Sequence, residues 1–582
     1  MNKQQSKIFS LLTTGEKRFS IIIFLFLIIG MMLETFGVGL IIPFVVILIE
    51  NDIGDKYPFT KSFLNFFGNP NKSDLIFISL FLLTFFYFLK NIFLGLSIFI
   101  QQKFVYRVQV DLSKRLFLLY LKQPYNFHLN FNSAELQHNV VNKVAAFSGA
   151  ITQYMYFIAE ILIVVGITSF LFILQPNALL VSLCIFLPPA ILISFYLRRK
   201  ISRWGGLVNK YEAKKILHVN QGLGAIKDII LMKRQVFFLN NYDLQSKLSA
   251  NISANVSTIN QIPRFIFEFL AVLAMSVIIY SLMITIQDIN QIVPLLAVFA
   301  AAAFRMMPSF NRLLSSYQNI RLVTPVVHTI FDELQRKTTD QIIDQDFSAE
   351  INFDKLVLRD INFKYNSGQS HILKNINIEI KKNQVIGLIG PTGSGKSTII
   401  NILCGLLKPS TGKILVNGYE SNLNSFAWQN QIGYVSQSIY LSDDSIKKNI
   451  AFGIKEDSID NLNLEKSIKD AELEKFISNL EMGIDTQVGE RGSRISGGQL
   501  QRLGIARALY NNPNILLLDE ATSSLDGDTE KRIMDSILRL RGKKTIIIVA
   551  HRYSTIENCD IIYKIESGEV KEYGKPEEIL DT

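Results

Sequence analysis

The chain has 582 residues, of which 49% are hydrophobic and only 19% charged, with a formal net charge of +10. Soluble domains carry about 25% charged residues and disordered chains far fewer apolar ones, so a membrane protein with an attached soluble part fits best. The three cysteines, Cys184, Cys404 and Cys559, are too few and too far apart for a disulfide framework or a zinc site.

Six long apolar stretches precede residue 320, at roughly 19–49, 75–100, 150–174, 178–197, 264–285 and 291–312. Each reaches or exceeds the roughly 20 helical residues that cross a hydrocarbon core. Basic residues set the expected orientation: Lys3, Lys7, Lys17 and Arg18 before the first span, then Lys114-Arg115 and Arg198-Arg199-Lys200 in the long connections. Both termini are therefore expected in the cytoplasm. The net charge reads as this bias and not as a nucleic-acid footprint. The first span is too long for a signal peptide and lacks a small-residue cleavage site. Pro124-Tyr125-Asn126-Phe127 and Gln221-Gly222-Leu223-Gly224 interrupt the two long cytoplasmic segments, and short transverse helices or plain loops are expected there. Outside, Pro58 to Phe67 has apolar residues at helical spacing and reads as a surface helix or as packing on the spans.

Ionisable residues inside spans cost about 2.5–3.5 kcal/mol each at a helix centre, so each needs a reason. They are Glu34, Lys90, Glu160, Arg264, Glu268 and Arg305, with Arg312 at the inner boundary. Lys90, Arg264 and Arg305 fall in the inner half of the bilayer. These cations would suit an anionic or pyrophosphate head group. Alternatively, Arg264 pairs with Glu268 one turn away, Glu34 pairs with Lys90, and Arg305 and Arg312 snorkel or hold lipid head groups.

After a polar linker at 336–350, the domain from 351 to 582 alternates short β-rich runs with helical segments, the pattern of an α/β nucleotide-binding domain. Gly390-Pro391-Thr392-Gly393-Ser394-Gly395-Lys396-Ser397-Thr398 follows one such run, Val385–Ile389, and opens a helix. Its glycines let backbone N–H groups close around phosphates; Lys396 reaches the β- and γ-phosphates and the Ser397 hydroxyl can ligate Mg²⁺. The apolar run Ile515–Leu518 ends in Asp519-Glu520. There one carboxylate can hold the metal through water and the next can orient or deprotonate the attacking water.

At this point the chain resembles the ATP-binding cassette proteins. Ile495-Ser496-Gly497-Gly498-Gln499 is similar to that family's signature, with Ile where Leu is more usual. Tyr365 resembles the adenine-stacking aromatic, and Gln437 in Tyr434-Val435-Ser436-Gln437 the glutamine that senses Mg²⁺. Ser523-Ser524-Leu525-Asp526 resembles the loop crossing the dimer interface, and His551 the switch histidine on the γ-phosphate. Thr486 to Gly492 resembles an exporter-specific loop, with Gln487 in place of the commoner glutamate.

The resemblance implies an α-helical membrane domain over residues 1–335 with six transmembrane helices of the type IV (type 1) exporter, then the α/β P-loop domain. It also implies a homodimer in which each ATP lies between one phosphate loop and the partner's signature. Catalysis is then expected from Glu520, His551, Lys396 and Gln437, with Mg²⁺ on Ser397, Gln437 and Asp519. Glu34-Thr35-Phe36, Ile42-Pro43-Phe44, Pro263-Arg264 and Phe304 to Arg312 further resemble an exporter group that includes flippases of lipid-linked oligosaccharides in bacterial protein N-glycosylation. That implies a bacterial inner-membrane protein moving a polyprenyl-pyrophosphate glycan, with Arg264, Arg305, Arg312, Lys90 and Glu34 as its contacts. Export of a peptide, another lipid or a drug, or an ATP-gated channel or regulator, are the alternatives.

Overall fold

The computed structural model describes residues 3–49, 71–174, 176–285, 289–336, 353–365, 370–521, 527–550 and 556–580. The external segment 58–67, all of the 336–350 linker but its first residue, Ser523 to Asp526 and His551 lie outside them. The chain divides into two compact units, one of residues 1–121 with 131–337, the other of 122–130 with 338–582.

The first unit is helical. α1 (Lys3–Leu11) precedes α2 (Thr14–Gly39), whose first turn is closed by a capping box between Thr13 and Glu16. α3 (Ile41–Ile49) continues its line, and α4 (Lys72–Leu121) is 50 residues long. α5 (Tyr125–Asn130) sits in the first of the two interruptions and belongs to the second unit. After a short helix at Ser133–His138 and a π-helical turn at Asn139–Lys143 come α6 (Val144–Leu174), α7 (Pro176–Gly224), α8 (Ile226–Leu231), α9 (Gln235–Thr285) and α10 (Ile289–Leu334). A short helix, α8, thus follows the second interruption, and it remains in the helical unit.

Among the described residues four helical runs are long and apolar enough to cross a membrane: Thr14–Leu48, Lys72–Leu121, Ser133–Leu174 and Gln235–Val277. The other two apolar stretches, 178–197 and 291–312, lie on α7 and α10. α6 packs against α2, α4 and α10, and α7 against α9 and α10. Phe186, Phe267 and Phe310 stack where α7, α9 and α10 meet, with ring centroids 5.5 to 6.3 Å apart. Gly205 lets α7 close on α10, since a Cβ there would lie 1.9 Å from the Leu322 carbonyl oxygen.

The second unit carries two sheets. β1 (Lys355–Phe363), β2 (Leu373–Lys381), β4 (Thr411–Val416) and β5 (Tyr419–Glu420) form an antiparallel sheet in the order β2-β1-β4-β5. β3 (Val385–Ile389), β6 (Ile432–Val435), β7 (Ile515–Asp519), β8 (Thr545–Val549), β9 (Ile561–Glu566) and β10 (Glu569–Gly574) form the other, in the order β10-β9-β3-β8-β7-β6. All its pairings are parallel except β9 with β10. β7 and β8 are buried along their whole length, which is why they read as unbroken apolar runs. α11 (Lys396–Leu403), α12 (Gly497–Tyr510) and α13 (Gly527–Leu538) complete the elements that concern the site. Core residues of α11 pack on one face of the sheet, and those of α12 and α13 on the other.

Candidate functional site

The carboxyl ends of β3 and β7 carry the chemistry-bearing residues, the usual place for a ligand in an open parallel sheet. After β3 the chain turns tightly at Gly390, at φ 147°, where a Cβ would meet the Ile565 carbonyl oxygen at 1.9 Å. It enters α11 through Gly395, at φ 106°, where a Cβ would lie 2.5 Å from Leu373 Cδ2. Only glycine fits either position. Lys396 is buried, and its Nζ donates to the carbonyl oxygens of Gly390 and Pro391 at 2.9 Å each. Ser394 Oγ is buried without a hydrogen-bond partner among the described residues. Such a hydroxyl inside a loop of backbone N–H groups fits a phosphate.

Ser397 Oγ donates to Asp519 Oδ1 at 3.3 Å, joining the start of α11 to the end of β7. Burial pushes the Asp519 carboxyl above the ordinary carboxylate range, against the Ser397 hydrogen bond; Glu520 raises it further and Lys396 opposes. Burial likewise lowers Lys396, opposed by the charges of Glu520 and Asp519. Glu520 stands in a left-handed conformation at φ 52°, its N–H donating to the Val549 carbonyl at 3.1 Å. Gln437 Nε2 donates to Glu520 Oε2 at 2.7 Å. The hydroxyls of Tyr365 and Thr398 are 3.3 Å apart, and Phe363 meets the Tyr365 ring edge-on.

No group of three or more His, Cys, Asp or Glu gathers among the described residues. A hydroxyl, an amide oxygen and a carboxylate, from Ser397, Gln437 and Asp519, still fit a hard cation completed by phosphate oxygens. Ser496 caps α12: its Oγ accepts from the Gln499 N–H at 3.3 Å, and Gln499 Oε1 accepts from the Ser496 N–H at 2.8 Å. Gly497 and Gly498 form the first turn of that helix. Asp526 and His551 lie outside the described residues.

One tie had no motif to announce it. Asn449 is buried; its Oδ1 accepts from Ser442 N–H and from Arg507 Nη2 at 3.1 Å, and Arg507 Nε donates to the Asn449 carbonyl at 2.7 Å. These bonds fasten the segment after Gln437 to the signature helix α12. A lone Asn and a lone Arg 58 residues apart give no local signal.

In the helical unit, Glu34 on α2 collects two cations. Arg305 on α10 holds it bidentately, Nε to Oε2 at 3.0 Å and Nη2 to Oε1 at 2.9 Å, and Lys90 on α4 reaches Oε2 at 3.2 Å. Lys90 Nζ also lies 4.1 Å from the Tyr87 ring centroid, a second neighbour the sequence did not announce. Arg312 Nε lies 3.0 Å from Glu160 Oε1 on α6. Arg264 and Glu268 are both exposed, and no ion pair joins them among the described residues. The pairing offered above as an alternative is therefore absent here.

Residues 19–314 match the ABC transporter transmembrane region, and residues 373–523 match the ABC transporter domain. The ATP-dependent lipid A-core flippase of Cupriavidus pinatubonensis (strain JMP 134 / LMG 1197) is 29% identical over 81% of this chain and 80% of its own length. The leukotoxin translocation ATP-binding protein LktB of Mannheimia glucosida is 43% identical, over 39% of this chain and 32% of its own. A bacterial Atm1-family ABC exporter solved with ATP bound shares the fold, with a TM-score of 0.80 at 20% identity over 97% of this chain and 96% of that one. An N-terminal helical membrane domain precedes a phosphate-loop cassette in one chain: the protein belongs to the ABC transporters, and its fold is the type IV exporter fold.

Proposed function

We propose that this chain is an ATP-driven flippase for a lipid-linked oligosaccharide, a polyprenyl-pyrophosphate glycan, working as a homodimer in a bacterial inner membrane. The contacts Ser397–Asp519 and Gln437–Glu520 support the hydrolytic part of this reading most directly. Glu520 is the base for the attacking water, and Gln437 holds its carboxylate in place until nucleotide arrives. Lys396 exchanges its two backbone carbonyls for phosphate oxygens. Backbone N–H groups from Thr392, Gly393, Ser394 and Gly395 onward cradle the phosphates, Gly390 and Pro391 shape the turn that presents them, and Tyr365 stacks on the adenine. Mg²⁺, held by Ser397, Gln437 and Asp519, offsets the charge of the phosphates when bound. Ser496, Gly497, Gly498 and Gln499 meet the nucleotide of the partner chain, with Asp526 at that interface and His551 on the γ-phosphate. ATP has higher affinity for the closed cassette pair, so its binding shifts the membrane part and its hydrolysis resets it.

For the substrate, Arg305 and Lys90 are two cations sharing one carboxylate among apolar helices. A pyrophosphate can compete with Glu34 for Arg305, because the guanidinium fork that holds a carboxylate also fits phosphate oxygens. Arg264 and Arg312 supply further positive charge. Similarity over four-fifths of the chain to a lipid A-core flippase favours a lipid substrate over a soluble one.

ATPase activity of the full chain in lipid nanodiscs, with and without a polyprenyl-pyrophosphate oligosaccharide, tests both parts. The expected result is glycolipid-stimulated hydrolysis, absent in Glu520→Gln and unresponsive to glycolipid in Arg305→Ala. Turnover without stimulation removes the glycan substrate and leaves the ATPase; turnover in Glu520→Gln removes the catalytic assignment.

A further inference from the structure

A second charged cavity lies wholly within the helical unit, away from the Glu34 cluster. Its volume is about 420 Å³, within the range of small-molecule sites. Three segments wall it: Asn132 to Lys143 ahead of α6, Gly206 to Leu217 on α7, and Pro325 to Thr329 on α10.

Its charge is unbalanced. Lys143, Lys210 and Lys214 line it, against Glu135 as the one acidic lining residue. Lys210 and Lys214 are four residues apart on one helix, so their ammonium groups share a face and repel. Lys143, on a different helix, is half-buried. None of the three has a salt bridge among the described residues, whereas the adjacent Lys215, outside the cavity, is neutralised by Glu212 at 3.0 Å. Asn132, Asn209 and Thr329 are tied to backbone groups at 2.8 to 3.1 Å, so recognition falls to the lysines.

We propose that this cavity is a binding site for a small multivalent phosphate anion, separate from the ATP site and from the transported substrate. Compact ammonium groups converging from two helices suit phosphate oxygens, and neutralising them removes the repulsion within α7. A macromolecule does not fit the volume. The occupant clasps the segment before α6, α7 and α10 together and so favours the packing described here over any in which they separate. The phosphate comes either from a soluble ion or from an anionic lipid head group.

Calorimetric titration of inorganic pyrophosphate into the full chain in nanodiscs tests this, in a Lys396→Ala, Arg305→Ala background that weakens competition from the phosphate loop and from the Glu34 cluster. Saturable binding of one pyrophosphate per chain is expected, at least tenfold weaker when Lys143, Lys210 and Lys214 are all changed to Gln. Lys210→Arg keeps the charge and should keep the affinity, which separates lost binding from lost folding. Equal affinity in the triple variant, or no saturable binding in the parent, overturns the site. Discs with and without phosphatidylglycerol distinguish the sources: competition by that lipid assigns a head group, and its absence assigns a soluble anion.

Discussion

Gln437 Nε2 lies 2.7 Å from Glu520 Oε2, across 83 residues of sequence. The amide that would sense nucleotide therefore already holds the carboxylate that would act on water. Loss of a positioned base costs roughly 10²- to 10⁴-fold in rate. Glu520→Gln should accordingly reduce ATP hydrolysis by at least roughly 10²-fold while leaving ATP binding intact. Phosphate release and retention of labelled ATP by the same sample check the two halves of that statement.

The α7–α10 contact gives a paired test. Gly205→Ala places a methyl 1.9 Å from the Leu322 carbonyl oxygen, whereas at Gly206 the nearest atom is Pro325 Cγ at 4.0 Å. Overpacking costs roughly 1–3 kcal/mol, so Gly205→Ala should lower thermal stability in detergent. Gly206→Ala should leave it level or slightly raised, because alanine favours a helix over glycine. Equal behaviour of the two variants would contradict the close approach.

Glu34 is the shared counter-ion of Lys90 and Arg305, and its side chain is 9% exposed. Removing one partner of a buried pair costs about 3–5 kcal/mol, since the remaining charge is left uncompensated. Glu34→Gln should thus lower the melting temperature sharply, and adding Lys90→Met should recover part of the loss. A melting temperature unchanged in Glu34→Gln would dissolve the cluster.

In the cassette, burial lowers Lys544 to about 8, helped by the charge of Lys466 and opposed by Asp470. Its Nζ donates to Asn512 Oδ1 at 3.0 Å and to the Pro513 carbonyl. The folded pKa is depressed below the usual lysine value of about 10.4, so between those values the unfolded chain binds more protons. The Lys544 contribution to stability therefore rises with pH across that window and is lost as pH falls through about 8. Chemical denaturation of wild type beside Lys544→Met checks the sign: the difference between them should move in favour of wild type from pH 8 to 10.

Much of the cassette was legible in the chain because its chemistry is local. A phosphate loop needs its glycines and its lysine within a few residues, and a buried parallel strand must be apolar throughout. Apolar run lengths likewise marked the membrane part. The partners of the membrane charges were a matter of tertiary packing. Lys90 was an expected neighbour of Glu34, but Arg305 reaches it from 271 residues away, and Glu160 pairs with Arg312. The one-turn spacing of Arg264 and Glu268 suggested a pair that the fold leaves apart. Helix rotation decides which charge faces which helix, and rotation follows from side-chain packing over the whole bundle, as at the Phe186–Phe267–Phe310 stack. The insertion of β8 between β3 and β7, and the Asn449–Arg507 tie, were settled the same way. They depend on contacts between distant segments, which no local pattern records.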